Sequence, residues 1–384
     1  LEQMDFKPLY GKTIGVFTNQ TAVNRQGTHL LDLLKAHPKI DVEIIFLPQY
    51  GLFANQNERF KMQGNQKYDP IYNARIVEVF GRNVKPPEWS MRGLDLILID
   101  IQDTGVRYST YVATMTKILE VASEWNMPVM VLDRPNPLRG DRLDGPVVRP
   151  QFQSFEGYHL VPIRHGMTLG ELAIMANEMG WIKDLKRVDL TVVPMSNWDR
   201  EMWYNETKIP WRHPTPFLRN EESLLAYVGM DLFRGTNMNI GFGTETPYMI
   251  VGSPWLGASF LLEKLNDQNL KGVEFKAVNY RPTGSIYHTR IPQYDGQSCS
   301  GIQLTITDRD EFNPITTATT LIMLINQLHP LEFQWKADGY IDKLFGSDLL
   351  RLLAAQKKSP DYLPSQWVHD VYKFNEFRQP FLIY

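Results

Sequence analysis

Asp100-Ile-Gln-Asp103-Thr-Gly-Val-Arg107-Tyr108 sets two carboxylates and a guanidinium close together behind an apolar run. In that pattern Asp103 could orient a ligand hydroxyl or exchange a proton with it, and Arg107 could grip a carboxylate through two parallel hydrogen bonds. The same spacing also allows Asp103 to cap a helix and pair with Arg107 one turn on, with Asp100 capping a strand end. Asp133-Arg-Pro-Asn-Pro137 is a second polar cluster, in which the prolines stiffen the backbone and present Asp133, Arg134 and Asn136 as a platform, or as a turn with an internal Asp–Arg pair. Arg164-His165-Gly166 adds an imidazole able to carry a proton near neutral pH or to bond the helix end beside it. Gly241-Phe-Gly-Thr-Glu-Thr246 could cradle a ligand, but it lacks the spacing of a dinucleotide fingerprint. The chain has no Walker loop, no G-x-S-x-G elbow and no H-E-x-x-H element, so no cofactor and no metal site are expected.

Each cluster needs an element to hold it. Apolar runs at 13–18, 42–47, 94–99 and 129–132 read as strands, and the stretches 28–37 and 111–125 carry helical spacing between them. Strands this apolar, alternating with helices, make a parallel sheet whose carboxyl ends share one edge, where open α/β sheets bind ligands. Asn19, Gln49, Tyr50, Asp103 and Asp133 all fall on that edge. Thr168-Leu-Gly-Glu171 is a capping box opening a helix to 179, followed by a strand at 190–194. The Trp- and Pro-rich stretch 197–219 reads as a crossing segment. Beyond it, helices at 221–233, 256–265 and 316–328 and strands at 273–280 and 302–307 form another unit. The fold class is therefore α/β, with a parallel-sheet domain over 1–220, a smaller α+β domain over 221–384, and a ligand cleft expected between them.

The chain has 384 residues, 40 basic against 43 acidic side chains and a net charge of −3, which offers no basic surface for nucleic acid or an anionic membrane. No apolar run is long enough to span a bilayer. The single cysteine, Cys299, excludes an internal disulfide and fits either redox compartment. The start at Leu1, without a basic, apolar leader, fits removal of one, so a periplasmic or extracellular location is expected, with the cytoplasm still compatible.

Taken together, Phe17-Thr-Asn-Gln-Thr21, Asp100-Ile-Gln-Asp103, Asp133-Arg-Pro-Asn-Pro137, Ile163-Arg-His-Gly-Met-Thr-Leu-Gly-Glu-Leu172, Met202-Trp-Tyr204, Gly235-Thr-Asn237 and Gly252-Ser-Pro-Trp255 resemble the DUF1343 family of exo-β-N-acetylmuramidases. The resemblance implies a Rossmann-like N-terminal domain, an active site in the interdomain cleft, and release of N-acetylmuramic acid from cell-wall glycans. The lactyl carboxylate of that sugar would give Arg107 or Arg134 a partner. Where the family reads Pro-Glu-His-Gly, this chain has Pro48-Gln-Tyr-Gly51, and Ile240-Gly-Phe-Gly-Thr244 replaces Glu-Gly-Arg-Gly-Thr. An amide at 49 cannot transfer the proton that hydrolysis needs, a loss of about 10²–10⁴-fold. Two readings follow. In one, the chain is a glycosidase with Glu58, Asp103 or Asp133 as its catalytic acids and Asn19, Gln49, Tyr50, Arg107, Tyr108, Arg134, Asn136, His165, Asn237 and Thr244 binding the glycan. In the other, it is a catalytically weak paralogue that binds a muropeptide or related glycan.

Overall fold

The computed structural model describes residues 1–52, 60–81, 83–284 and 291–384. Its larger sheet holds β1 (Lys12–Thr18), β2 (Ile40–Leu47), β3 (Lys61–Gln63), β4 (Gln66–Asp69), β5 (Ala74–Glu78), β6 (Leu96–Asp100), β7 (Val129–Leu132) and β8 (Leu190–Val193). They lie in the order β3-β4-β5-β2-β1-β6-β7-β8. The six strands from β5 to β8 in that order run parallel, and β3 and β4 add an antiparallel hairpin at one edge. The apolar runs become strands because both faces are covered. Ile14, Val16, Ile45, Leu47, Leu96 and Leu98 join Leu31 and Leu34 of α1 (Leu30–Lys35). Their neighbours Phe17, Ile44, Phe46, Ile97 and Ile99 join Met115 and Ile118 of α2 (Thr110–Glu124) and Leu172 and Met175 of α3 (Leu169–Glu178). Alternation along each strand thus feeds two separate cores.

Past α3 come α4 (Glu221–Met230), β9 (Ile250–Ser253), α5 (Ala258–Asn266), β10 (Val273–Tyr280), β11 (Cys299–Ile306), α6 (Pro314–Leu328), α7 (Tyr340–Phe345), α8 (Leu349–Ala355) and α9 (Val368–Arg378). The strands form a small antiparallel sheet in the order β10-β11-β9. Helix α4 crosses α6 at Gly229, where a Cβ would sit 1.9 Å from the Pro314 carbonyl oxygen, so no larger residue allows the contact. The architecture is α/β, with a mostly parallel mixed sheet and a smaller antiparallel one.

Strand β9 and helices α7, α8 and α9 lie outside the sequence reading, and three further features differ from it. The β3–β5 extension was not expected, because β3 is exposed throughout and carries no apolar pattern. The helix expected over 221–233 ends at Met230 and tightens into a 3-10 turn, Asp231–Gly235. The tail also returns to the first sheet: Phe374, Phe381 and Leu382 join its α2/α3 core, and Arg378 donates to the carbonyls of Gly140, His165 and Gly166. Among the described residues no helix is long and apolar enough to cross a membrane.

Candidate active site

The loops leaving β1, β2, β6 and β7 meet where the chain turns to opposite sides of β1, the usual ligand position in such sheets. Two corners result. At the β6/β7 corner, Arg134 Nε and Nη2 donate to Asp100 Oδ1 and Oδ2 at 2.5 and 3.0 Å, and Nη1 donates to the Val23 carbonyl at 3.0 Å. Asp133 accepts from Arg134 N, Thr168 Oγ1, Gly170 N and Tyr384 OH at 2.7–3.0 Å, which ties the N-terminus of α3 to β7. Asn136 donates to the Met167 carbonyl and accepts from Leu138 N, and its side chain fills the space beside Gly105, where a Cβ would meet Asn136 Oδ1 at 2.4 Å. Asn19 closes its own turn through Thr21 and donates to Tyr111 OH. This corner brings the predicted polar residues together and satisfies them internally.

Other candidates are likewise engaged by the chain. Arg107 is buried and donates to the carbonyls of Pro146, Val161 and Leu344, joining the parallel-sheet region to α7, so its charge grips backbone rather than a ligand. It does not pair with Asp103. Tyr108 donates to the Val228 carbonyl of α4 and presents its ring to the cleft. His165 is buried, accepts from Met167 N, and stands with Nε2 4.0 Å from Asp103 Oδ2. Burial and the nearby Arg378 and Arg107 lower its pKa to about 3, so it is neutral. Asn237 donates to the Glu332 carbonyl and accepts from Gln334 N, clipping that backbone together. Thr244 caps the Gly241 turn. Glu58 lies outside the described residues.

The second corner opens toward the C-terminal half. Gln49, Tyr50, Thr104, Tyr108, Ser109, Thr110 and Tyr111 line a cleft against Glu156, Phe217, Tyr227, Asp231, Arg234 and Tyr248. An aromatic chain runs along it: Tyr50 edge-on to Phe217 at 6.0 Å, Phe217 to Phe242 at 4.4 Å, Phe242 to Tyr248 at 5.3 Å, and Tyr248 to Tyr227 at 5.0 Å. Tyr50 and Tyr248 both hold left-handed backbone, at φ 73° and 65°, a conformation that disfavours aromatic residues and collects at functional sites. Arg234 joins two acids: its Nε lies 3.0 Å from Asp231, and Nη2 bonds Glu156, whose other oxygen accepts from Tyr340 OH at 2.7 Å. Tyr248 OH donates to Asp231 at 3.2 Å, and burial raises the Asp231 pKa. Behind Ser109, Asp103 accepts from its hydroxyl at 2.7 Å and from Gly105 N at 2.8 Å, and burial pushes its carboxyl up to about 6.

The chain matches two family models, exo-beta-N-acetylmuramidase NamZ N-terminal over residues 14–222 and C-terminal over 225–384. This chain belongs to the NamZ family. It is 34% identical to the peptidoglycan beta-N-acetylmuramidase NamZ of Bacillus subtilis across 98% of this chain and 88% of that one. Two DUF1343 family proteins of Bacteroides fragilis have the same fold. One superposes with a TM-score of 0.89 at 26% identity, over 100% of this chain and 97% of its own. The other has a TM-score of 0.79 at 29% identity, over 100% and 96%.

Within this NamZ-family cleft, Gln49 stands where the resemblance places a glutamate, 3.4 Å from Thr110 Oγ1. Glu156, Asp231, Arg234, Ser109, Tyr227 and Tyr248 were missed in the sequence. Of these, only the Asp231–Arg234 spacing, one helical turn apart, offered a signal. Among the described residues no group of three His, Cys, Asp or Glu side chains could hold a metal ion. The cleft, about 50 Å³ in volume, pairs a raised carboxyl with a fixed guanidinium and an aromatic wall, the kinds of group that proton transfer to a glycosidic oxygen uses.

Proposed function

We propose that this chain acts on N-acetylmuramic acid-containing cell-wall glycans in the manner of an exo-β-N-acetylmuramidase. The carrying observation is the convergence of Asp231, Arg234, Glu156 and the Ser109–Asp103 pair with the tyrosine wall in one cleft. Asp231 is the proton donor in this reading: its carboxyl lines the cleft, and burial raises its pKa against the lowering pull of Arg234 and Tyr248. Arg234 bridges Asp231 and Glu156, and Ser109, whose hydroxyl hydrogen goes to Asp103, presents its oxygen to the sugar as an acceptor. Turnover of a chromogenic N-acetylmuramide tests the reading, with loss on Asp231→Asn supporting it. The substrate is a wall polymer, so we place the chain in the periplasm or outside the cell, which cell fractionation checks.

A second reading is favoured by Gln49 itself, an amide on the cleft wall where an acid belongs to the resemblance. On this reading the cleft binds a muropeptide and turns it over poorly. Saturable binding without turnover, together with a rise in hydrolysis on the double change Gln49→Glu, Tyr50→His, supports it over the first.

A further inference from the structure

One tight turn separates the cleft from a different cavity. Ser154 and Gly157 exchange backbone hydrogen bonds at 3.3 and 3.2 Å, and from this turn Glu156 reaches the cleft. On the other side Ser154, Tyr158 and His159, with Gln153, Leu160 and Trp181, line an open cavity of about 510 Å³. Cavities of roughly 300–1,000 Å³ lined by aromatic rings and a few polar groups are the usual size for small ligands.

The lining is rigid. Trp181 stacks on His159 with centroids 4.8 Å apart and planes 20° from parallel. His159 is buried, lies 2.8 Å from Thr116 Oγ1 through Nε2, and burial lowers its pKa to about 3, so the support beneath the indole is uncharged. Tyr158 stands edge-on to His159 at 5.2 Å, while its hydroxyl accepts from Lys117 at 2.5 Å and donates to Glu120 at 2.6 Å. Neither ring can swing without breaking these contacts. Ser154 Oγ is buried and has no hydrogen-bond partner among the described residues. A buried hydroxyl left unpaired is costly, and a ligand hydroxyl or amide would satisfy it.

We infer that this cavity is a second carbohydrate subsite, with Trp181 as the platform for a sugar ring and Ser154 and Gln153 as polar contacts at its edge. The inference rests on the cleft reading above and adds where the rest of the glycan goes. Sugars present apolar C–H faces to an aromatic ring and hydroxyls at their rims, which matches a fixed indole beside an unpaired hydroxyl. Consecutive Cα atoms are 3.8 Å apart, so those of Glu156 and Tyr158 are separated by at most about 7 Å. The two cavities thus take lining residues from one short turn, Glu156 in the cleft and Ser154 and Tyr158 in the second cavity.

The test compares a soluble MurNAc–GlcNAc tetrasaccharide with a chromogenic N-acetylmuramide, measuring affinity by calorimetry and KM by release of the chromophore. Trp181→Leu is expected to weaken tetrasaccharide binding about tenfold, Trp181→Phe to stay within about threefold of wild type, and neither to change the KM for the monosaccharide glycoside. Gln153→Trp, made at an exposed position, fills the mouth of the cavity and should produce the same tenfold loss if Trp181→Leu folds poorly. Tetrasaccharide affinity indifferent to both changes overturns the subsite while leaving the cleft reading intact. Absence of binding or turnover with either ligand in the wild-type protein overturns both.

Discussion

The two corners of the sheet edge hold similar side chains in different settings. At the β6/β7 corner Asp100, Arg134 and Asp133 are bonded to one another, to Val23, to the start of α3 and to Tyr384, and Asn136 is bonded to Met167 and Leu138. At the cleft, Tyr50 and Tyr248 hold strained backbone, and Asp231 lies buried beside the tyrosines, its carboxyl raised by burial as that of Asp133 is at the other corner. A polar cluster at a strand end is therefore not a site by composition alone. Both clusters are bonded by the chain, and what separates the corners is that the cleft gathers its groups from both halves of the sequence beside an aromatic wall, where backbone strain is retained.

The largest effect that would break this comparison is on catalysis. Asp231→Asn should lower kcat/KM on an N-acetylmuramide by about 10²–10⁴-fold, whereas Asp133→Asn should leave kcat within a few fold and lower the urea midpoint instead. If the two exchange these effects, the corners have been assigned the wrong way round. Arg134→Met comes next. It strands Asp100, which is 3% exposed, without its cation, and breaking such a buried pair costs about 3–5 kcal/mol. Urea unfolding should register that loss, with the KM of the folded enzyme unchanged.

Titration sharpens the contrast further. Burial lowers His159 and His165 to about 3, so the unfolded chain, with histidines near the ordinary 6.5, binds more protons between those values, and stability is lost as pH drops through that window. Asp103 and Asp133 act in the opposite sense. Their carboxyls titrate at about 6 in the fold against 3.8 ordinarily, so stability rises as pH drops from about 6 to 4. These terms roughly cancel above pH 4, and below it only the histidine loss continues. His165→Gln removes one histidine term, so its change in unfolding free energy between pH 7 and 3.5 should be smaller than wild type by about 4 kcal/mol at 1.36 kcal/mol per pH unit. Urea melts at the two pH values check this, and an unchanged difference would mean His165 is solvated in the fold.

The sheet was legible because strands covered on both faces must be apolar along their length, as in β6, where Leu96, Leu98 and Asp100 alternate with Ile97 and Ile99 and all five are buried. The exposed strand β3 obeys no such rule and left no trace. The site was legible only in part. Gln49, Tyr50 and Tyr108 reach the cleft because strand ends point there, but Arg107 turned inward to carbonyls 39, 54 and 237 residues away, pairings that no local spacing encodes. Asp231, Tyr248 and Glu156 meet only once α4, the Gly241 turn and the 154–157 turn have packed, and the left-handed backbone at Tyr248 has no signature in its residue type.

The smallest predicted effect tests whether the satisfied corner is isolated from the chemistry. Tyr384 OH donates to Asp133 Oδ2 at 2.9 Å and accepts from Met195 N at 2.8 Å, while its ring stands edge-on to Trp198 at 5.0 Å. Tyr384→Phe keeps the ring contact and deletes both hydrogen bonds. Asp133 retains Thr168 Oγ1, Gly170 N and Arg134 N, so no buried charge is orphaned, and the loss should be about 1 kcal/mol. Thermal melting should show a small fall in Tm while kcat/KM stays at the wild-type value. A drop in activity approaching that of Asp231→Asn would mean that the tail transmits to the cleft through α3 and His165, and the two corners would have to be treated as one site.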